Sequence, residues 1–170
     1  MYLCEFLILF ILMEKSASIY DIRKFINVDL AFFLYISAGT IVPNLKKLEK
    51  SGFITIQKSL TDGGFRKNSY QITQKGKEYF DNLIKIPISS SPQTASKEIA
   101  VFCSLIKSDI FTPEQKDIII KKCLTYLEKE VFKIHNAIKD NSKTIFCDYM
   151  KLKSDFLENS VNYLKQIEKE

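Results

Sequence analysis

The chain has 170 residues, enough for one ordinary domain or two small ones, and 46% of them are hydrophobic, which is ample for a packed core. This composition argues against disorder of the bulk. Its 25 Lys and Arg against 20 Asp and Glu give a net charge of only +5, so the total does not by itself indicate nucleic acid. Asp21 to Lys77, however, holds ten basic and four acidic residues, a net +6, whereas Ile86 to Glu170 holds thirteen and twelve. The positive potential belongs to the first half.

The apolar run from Phe6 to Met13 predicts a buried helix. Its eight residues are far fewer than the roughly 20 that a bilayer span requires. A secretion signal would need a small-residue cleavage site after the run, but Glu14 and Lys15 follow directly. We therefore expect neither a membrane anchor nor a secreted protein, but a cytoplasmic one.

Capping residues and helix breakers divide the first half of the chain. Helical periodicity covers Tyr2 to Met13, and the Ser16 to Ser18 stretch can cap a second helix from Ile19 to Ile26. After a looser aromatic stretch from Val28 to Ile36, a third helix is expected to run from a cap at Ser37 to Lys50 and to stop at Ser51-Gly52. Because proline lacks a backbone N–H, this helix should either begin near Gly39-Thr40 or bend at Pro43.

A strand pair is predicted after the third helix. Apolar and polar residues alternate from Phe53 to Lys58 and again from Tyr70 to Ile72, as in antiparallel strands. Asp62-Gly63-Gly64 supplies the turn between them. The order of three helices and a hairpin is that of a winged helix.

The outer face of the third helix is basic. Ile41, Leu45 and Leu48 form its buried stripe, and the opposite face suits a major groove bordered by phosphates. For a lone helix, a solvated lysine face would be the better interpretation. Here the hairpin adds a second basic element, so we expect DNA contacts on the helix and the wing. The candidate DNA-binding residues are Ser37, Gly39, Thr40, Pro43, Asn44, Lys46, Lys47, Lys50, Lys58, Arg66 and Lys67.

Three stretches of the first 85 residues together resemble the signature of the PadR family. They are Ile19-Tyr-Asp-Ile22, Ser37-Ala-Gly-Thr-Ile-Val-Pro-Asn-Leu-Lys-Lys-Leu-Glu-Lys-Ser-Gly-Phe-Ile54, and Arg66-Lys67 through Tyr70-x-Ile-Thr-x-Lys-Gly76. The resemblance implies a winged-helix DNA-binding domain, usually acting as a repressor, with the segment from Ser37 to Lys50 as recognition helix. Val42 stands where the family commonly has tyrosine, and Ile19 where it has glycine.

The second half is predicted to be helical. The polar joint from Ser89 to Thr94 suggests a winged-helix domain over residues 1–86 and a helical dimerisation domain over residues 87–170. A helix is expected from Ala95 to Lys107, and Thr112-Pro113-Glu114 reads as the start of another. Apolar residues then repeat at spacings of four and three, and a further helix follows with its own stripe.

These stripes and the first helix are the surfaces available for a homodimer. We expect it to be held by Phe6, Phe10, Ile120, Leu124, Leu127, Val131, Ile134, Ile138, Tyr149, Leu152 and Phe156. The alternative is that the two stripes pack only against each other as a hairpin within one chain. The pattern alone does not choose between them.

The sequence lacks the common motifs of enzymes and of metal sites. It has no G-x-S-x-G, no Walker loop and no H-E-x-x-H, and Cys4, Cys103, Cys123, Cys147 and His135 are dispersed. No catalytic residue, cofactor or metal is expected, and the cysteines are interpreted as reduced, buried thiols.

The sequence thus predicts a mainly α protein with a small β-hairpin wing. We expect a sequence-specific, dimeric DNA-binding regulator, a repressor released by a small hydrophobic or aromatic molecule, which binds an inverted-repeat operator. Five aromatic residues are candidates for the effector pocket, although core packing explains them as well: Tyr2, Phe6, Phe10, Phe102 and Tyr126. A rival function is a winged helix that bridges proteins and no longer binds DNA.

Overall fold

The computed structural model describes residues 2–60, 66–140 and 147–168. The chain forms two compact units, Met1–Thr112 and Pro113–Glu170. The first contains α1 (Tyr2–Glu14), β1 (Ala17–Ser18), α2 (Ile19–Lys24) with a π-helical extension (Phe25–Asp29), α3 (Ala38–Lys50), β2 (Ile54–Leu60), β3 (Arg66–Ile72), α4 (Gln74–Lys85) and α5 (Pro92–Leu105). The second contains α6 (Pro113–Asp140) and α7 (Cys147–Ile167). This mainly helical fold with a small sheet confirms the predicted fold class.

The wing is a three-stranded antiparallel sheet with strand order β1-β3-β2. Strands β2 and β3 pair from Ile54 opposite Ile72 to Leu60 opposite Arg66. Strand β1, which was not predicted, pairs Ala17 with Tyr70 and is too short to show alternation. It ties the start of α2 to the wing. The predicted turn at Asp62-Gly63-Gly64 lies outside the described residues.

Helix α1 is the centre of the first unit. Every residue from 3 to 12 is buried, because α3, α4 and β3 all pack against this helix. The Phe6 ring lies 5.3 Å from that of Phe80, 5.1 Å from that of Phe102 and 6.4 Å from that of Phe111, measured between ring centroids. Apart from Glu5, the buried residues of this helix are apolar, and the helix is buried on every side.

The local signals that start and end helices agree with the structure. Ser18 forms a capping box with Asp21 at the start of α2. Gly52 follows the end of α3 and has a φ of 74°, a backbone conformation that glycine adopts more easily than other residues. Helix α5 is the exception. It begins at Pro92, directly after Ser91 and three residues earlier than predicted, with proline in its first turn.

The first compact unit extends beyond the predicted boundary at Ile86. Its limit is Thr112, because Phe102 on α5 and Phe111 after it pack against Phe6 in the core. The predicted polar joint from Ser89 to Thr94 therefore lies within this unit, and its last three residues, from Pro92, are the first turn of α5.

The second unit is an antiparallel helical hairpin. Glu128 on α6 pairs with Lys165 on α7 at 2.7 Å, and His135 lies 3.0 Å from Glu158. As α6 advances from Glu128 to His135, its partner on α7 moves back from Lys165 to Glu158, so the helices run in opposite directions. Within the described residues, no helix is long and apolar enough to cross a membrane.

Candidate nucleic-acid interface

Helix α3 presents a basic outer face, as its sequence predicts. Ile41, Leu45 and Leu48 are at most 1% exposed, and they anchor the helix to the core. Pro43, Lys46 and Lys50 lie on the opposite side and are exposed. Neither Lys46 nor Lys50 has an ion-pair partner among the described residues. Both ammonium groups are therefore available to an anionic ligand.

The first turn of α3 is open to solvent at Ser37 and Gly39. The Ser37 side chain makes no capping hydrogen bond to the helix; its Oγ lies 3.3 Å from Thr40 Oγ1. A Cβ atom built on Gly39 would meet only Ser37 Oγ, at an ordinary 3.6 Å. The positive end of the helix dipole thus carries small polar groups and free backbone, which suits an approaching phosphate or base edge.

Pro43 lies inside α3, which begins at Ala38, one residue before the predicted start near Gly39-Thr40. Since the helix begins at Ala38, Pro43 cannot donate a hydrogen bond to the carbonyl of Gly39. Asn44 is also less free than expected. Its Nδ2 donates to the Thr40 carbonyl at 2.8 Å, so one of its two amide hydrogens is already used, and the other hydrogen and Oδ1 are left for a base edge.

Lys47 differs from its two neighbouring lysines. Its Nζ lies 2.6 Å from Oε1 of Glu5, a carboxylate that is 2% exposed within α1. The Oη of Tyr79 on α4 donates to Oε2 of the same carboxylate at 2.5 Å. The sequence predicted Lys47 as a phosphate contact; in the structure its ammonium group is paired with Glu5, while 66% of its side chain is exposed.

The wing supplies the second basic element only in part. Lys58 is exposed on β2, where its Cα faces that of Asn68. The backbone of Arg66 and Lys67 forms the start of β3, but their side chains lie outside the described residues. Their predicted contacts with DNA remain predictions.

The Asn27 side chain closes the loop that precedes α3. The Asn27 side chain accepts from the Ile36 N–H and donates to the Ile36 carbonyl, both at 2.9 Å. This pair of bonds fixes the residue just before Ser37 and so the start of α3. The loop that it closes exposes Phe32 and Tyr35, which are 98% and 76% accessible. Asparagine is a frequent side-chain partner of backbone in turns.

The residues predicted to hold a dimer have different environments. Phe6 and Phe10 are 0% and 4% exposed in the single chain, so the structure corrects their assignment: the unit's own core already covers them. Of the α6 stripe, Val131 and Ile138 are half-buried, and the other members are buried: Ile120, Leu124, Leu127 and Ile134. On α7, the Tyr149 side chain lies outside the described residues.

Helix α7 has two opposite faces. Leu152, Phe156 and Tyr163 are 67%, 70% and 44% exposed, and at 100° per residue they fall within about 40° of one another. Ser154 and Val161 are buried, about 160–180° around the helix from that stripe. The predicted α7 stripe is therefore not the one that packs inside the hairpin.

Among the described side chains, Cys4, Cys103 and Cys123 form no disulfide. Cys4 and Cys123 are buried and Cys103 is half-buried; the Cys147 side chain lies outside the described residues. Burial raises the pKa of Cys4 to about 11, with the nearby Glu5 charge adding to the effect, and burial raises the pKa of Cys103 to about 11. No cluster of three or more His, Cys, Asp or Glu side chains suited to a metal occurs in the part of the chain that the structure describes.

An open groove of about 700 Å³ lies on the first unit. Its walls are apolar at Phe10, Met13, Phe25, Leu105 and Ile110, with the carboxylates of Glu14 and Asp109 and two serine hydroxyls beside them. Of the aromatic residues predicted to line an effector pocket, Phe10 contributes. Phe6 and Phe102 are fully buried and do not.

Comparison with known proteins gives one family and several relatives. Residues 8–82 match the model of the transcriptional regulator PadR-like family. The negative transcriptional regulator PadR of Bacillus subtilis (strain 168) is 34% identical over 116 residues, which span 63% of this chain and 62% of that relative. The crystal structure of Bacillus subtilis PadR in complex with operator DNA has 20% identity and a TM-score of 0.49, covering 97% of this chain and 96% of that one. Smu.1604c from Streptococcus mutans UA159 has 22% identity and a TM-score of 0.46, with 98% of each chain covered.

Proposed function

We propose that this chain is a sequence-specific DNA-binding repressor that acts in the cytoplasm as a homodimer. The match of residues 8–82 to the model of the transcriptional regulator PadR-like family supports the proposal. The observation that carries the proposal is the outer face of α3. Lys46 and Lys50 have no ion-pair partner among the described residues, and at 100° per residue they lie on the same side of the helix as the exposed Gly39 and Pro43.

The proposed contacts divide by chemistry. Lys46, Lys50 and Lys58, with Arg66 and Lys67 on the wing, would bind phosphates and supply affinity without sequence preference. Ser37, Gly39, Thr40, Pro43 and Asn44, at or near the first turns of α3, would approach base edges.

The test is selection of bound fragments from random duplex DNA by the full-length protein, followed by mobility shift over a salt series. The proposal expects an enriched inverted repeat and an affinity that falls linearly on a log–log plot against salt. A protein that binds no duplex at any salt concentration would refute it and favour the protein-bridging winged helix.

The exposed α7 stripe supports the proposed homodimer. A single recognition helix reads few base pairs, whereas a two-fold dimer places two of them about 34–36 Å apart on one face of the duplex. Leu152, Phe156 and Tyr163 offer an apolar surface that the hairpin of one chain leaves uncovered.

We propose the groove beside α1 as the site of the releasing effector. Its volume lies within the range of small-molecule sites, and its aromatic walls fit a small hydrophobic or aromatic ligand. Glu14 and Asp109 have no ion-pair partner among the described residues, which favours neutral or cationic ligands over anionic ones.

The effector site can be tested with neutral, cationic and anionic aromatic compounds of matched size in the mobility shift. A neutral or cationic compound should release the wild-type protein from DNA. The Glu14→Lys and Asp109→Lys variants should bind DNA normally and lose the response. Release that is unaffected by both substitutions would place the effector elsewhere.

A further inference from the structure

Glu5 is the anomalous residue of α1. It is the one acid in a run of ten consecutive buried residues, and only 2% of its surface is exposed. Burying a carboxylate is costly unless hydrogen bonds and opposite charge compensate it. Glu5 has both, from Lys47 at 2.6 Å and Tyr79 at 2.5 Å. A residue held at such cost has a role that an apolar side chain in the same place would not fulfil.

The two partners come from different helices. Lys47 lies on α3, 42 positions along the chain from Glu5, and Tyr79 lies on α4, 74 positions along. Apart from this carboxylate, α1 contacts α3 through an apolar surface. Apolar contacts fix the distance between two helices better than they fix the rotation of either helix about its own axis. Charge-assisted hydrogen bonds are directional, so the carboxylate fixes how α3 is rotated about its own axis.

The C-terminal end of α3 is tied to α4 a second time. The Tyr79 ring stacks on Phe53 with centroids 4.2 Å apart, and Lys75 Nζ donates to the Ser51 carbonyl at 3.0 Å. At the N-terminal end, Asn27 binds both backbone groups of Ile36. The helix is therefore held at both ends, with Glu5 as the charged link to the buried scaffold.

We infer that Glu5 is a positioning residue for DNA reading, acting through Lys47, and that Lys47 orients α3 instead of binding a phosphate. This inference rests on the proposed function. At 100° per residue, Lys47 lies about 60° from Lys50 around the helix, so it occupies the margin between the core and the outward face. A small rotation of α3 there would displace Gly39 and Pro43 from the base edges that they approach.

The experiment compares Glu5→Gln, Lys47→Met and the double variant in the full-length protein, with Lys46→Met as the matched control. Affinities are measured by fluorescence anisotropy on the selected operator and on a random duplex over a salt series. Positioning predicts that Glu5→Gln and Lys47→Met each lose about tenfold on the operator, and that the double variant loses no more than either alone. Their salt slopes should stay unchanged, whereas Lys46→Met should lower the slope by about one.

If Lys47 instead binds a phosphate, the opposite pattern of affinities and salt slopes is expected. If Lys47 binds phosphate and Glu5 merely restrains it, Glu5→Gln will strengthen binding to the random duplex, and Lys47→Met will lower the slope as Lys46→Met does. Either result overturns the inference. So does wild-type operator affinity in a folded Glu5→Gln protein.

Folding is monitored by circular dichroism and urea unfolding. Tyr79→Phe serves as the milder variant, because it removes one hydrogen bond and keeps the ring; it should show a smaller loss on the operator with the same slope. Operator affinity equal to wild type in this variant as well as in Lys47→Met would count against positioning. A wild-type protein that binds no duplex refutes the proposed function; one that binds while Glu5→Gln and Lys47→Met match it refutes only the positioning role.

Discussion

The backbone of Gly76 passes so close to the carbonyl oxygen of Phe53 that a Cβ atom on residue 76 would lie 2.0 Å from it. The same Cβ would lie 2.7 Å from Cγ1 of Ile72. This approach lets the first turn of α4 rest on the wing, where Thr73 caps the helix by accepting from the Gly76 N–H at 3.0 Å. The Thr73 hydroxyl also donates to the Gly52 carbonyl at 2.7 Å, and this bond joins the segment after α3 to the start of α4.

Gly76→Ala is therefore expected to destabilise the protein by about 1–3 kcal/mol or more, because the closest obstructing atom, the carbonyl oxygen of Phe53, belongs to the backbone and cannot easily move aside. Urea unfolding of the full-length protein measures the loss. Unchanged stability would mean that α4 can shift away from the wing at no cost.

Gly39→Ala should have the opposite effect on folding. Nothing but Ser37 Oγ comes near the added methyl group, and alanine in a helix is favoured over glycine by about 0.5–1 kcal/mol. If the Gly39 backbone approaches DNA, the variant will unfold at higher urea concentration and yet bind the operator more weakly. A variant that is more stable and binds as tightly as wild type would remove Gly39 from the interface.

The Tyr79 hydroxyl should titrate late. Burial raises its pKa to about 12, and the hydrogen bond to Glu5 and the negative charge of that carboxylate add to the effect. Because the folded-state pKa exceeds the ordinary value near 10, this group's contribution to stability is complete below pH 10 and is lost as the pH rises towards 12. Ultraviolet difference spectra should show one late-ionising tyrosine fewer in Tyr79→Phe, and the variant should lose less stability than wild type over that interval.

The buried thiols should be inert at neutral pH. With pKa values of about 11, Cys4 and Cys103 are almost entirely protonated, and the thiolate is the reactive form. Iodoacetamide should leave both unmodified in the native protein at pH 7 and alkylate them in urea, as peptide mass spectrometry will show. Oxidant-dependent release of the protein from DNA through either thiol would contradict this.

Much of the fold follows from local signals, and the candidate site follows less completely. The cap at Ser18 and the stop at Gly52 act over one turn, so the sequence displays them directly. Pro92, which begins α5, was instead assigned to a joint between domains. The pairing of Lys47 with Glu5 joins residues 42 positions apart, and no periodicity reveals it. Exposed lysines look alike in a sequence until tertiary packing shows which of them has a partner.

Helix α7 shows a second limit of the same kind. Its apolar residues fall on two faces, and the pattern alone does not say which face the neighbouring helix will cover. The stripe chosen from the sequence contains Leu152 and Phe156, but the hairpin instead buries Ser154, Val161 and Leu164. Small residues such as serine, which permit close helix packing, carry little weight in a search for apolar periodicity.

The exposed stripe leads to the prediction on assembly. Leu152→Asp combined with Phe156→Asp should leave the α6–α7 hairpin folded, because both side chains point away from its packed face. If the stripe forms the dimer contact, sedimentation equilibrium will show a monomer where the wild type is dimeric. Affinity for the inverted repeat should fall by several orders of magnitude, since the two recognition helices are no longer joined, while affinity for a single half-site should change little.

Leu127→Asp with Val131→Asp is the comparison variant. Leu127 is 3% exposed, so a carboxylate there would be buried within the chain and should unfold the hairpin itself, visible as lost helical circular dichroism. Truncation should be placed after Thr112 rather than Ile86, because the shorter fragment lacks Phe102 and Phe111 of the aromatic core and is expected to fold poorly. A wild-type protein that is monomeric at micromolar concentration yet binds the inverted repeat tightly would refute the dimer, whereas a dimer that survives both α7 substitutions would move the contact to another surface.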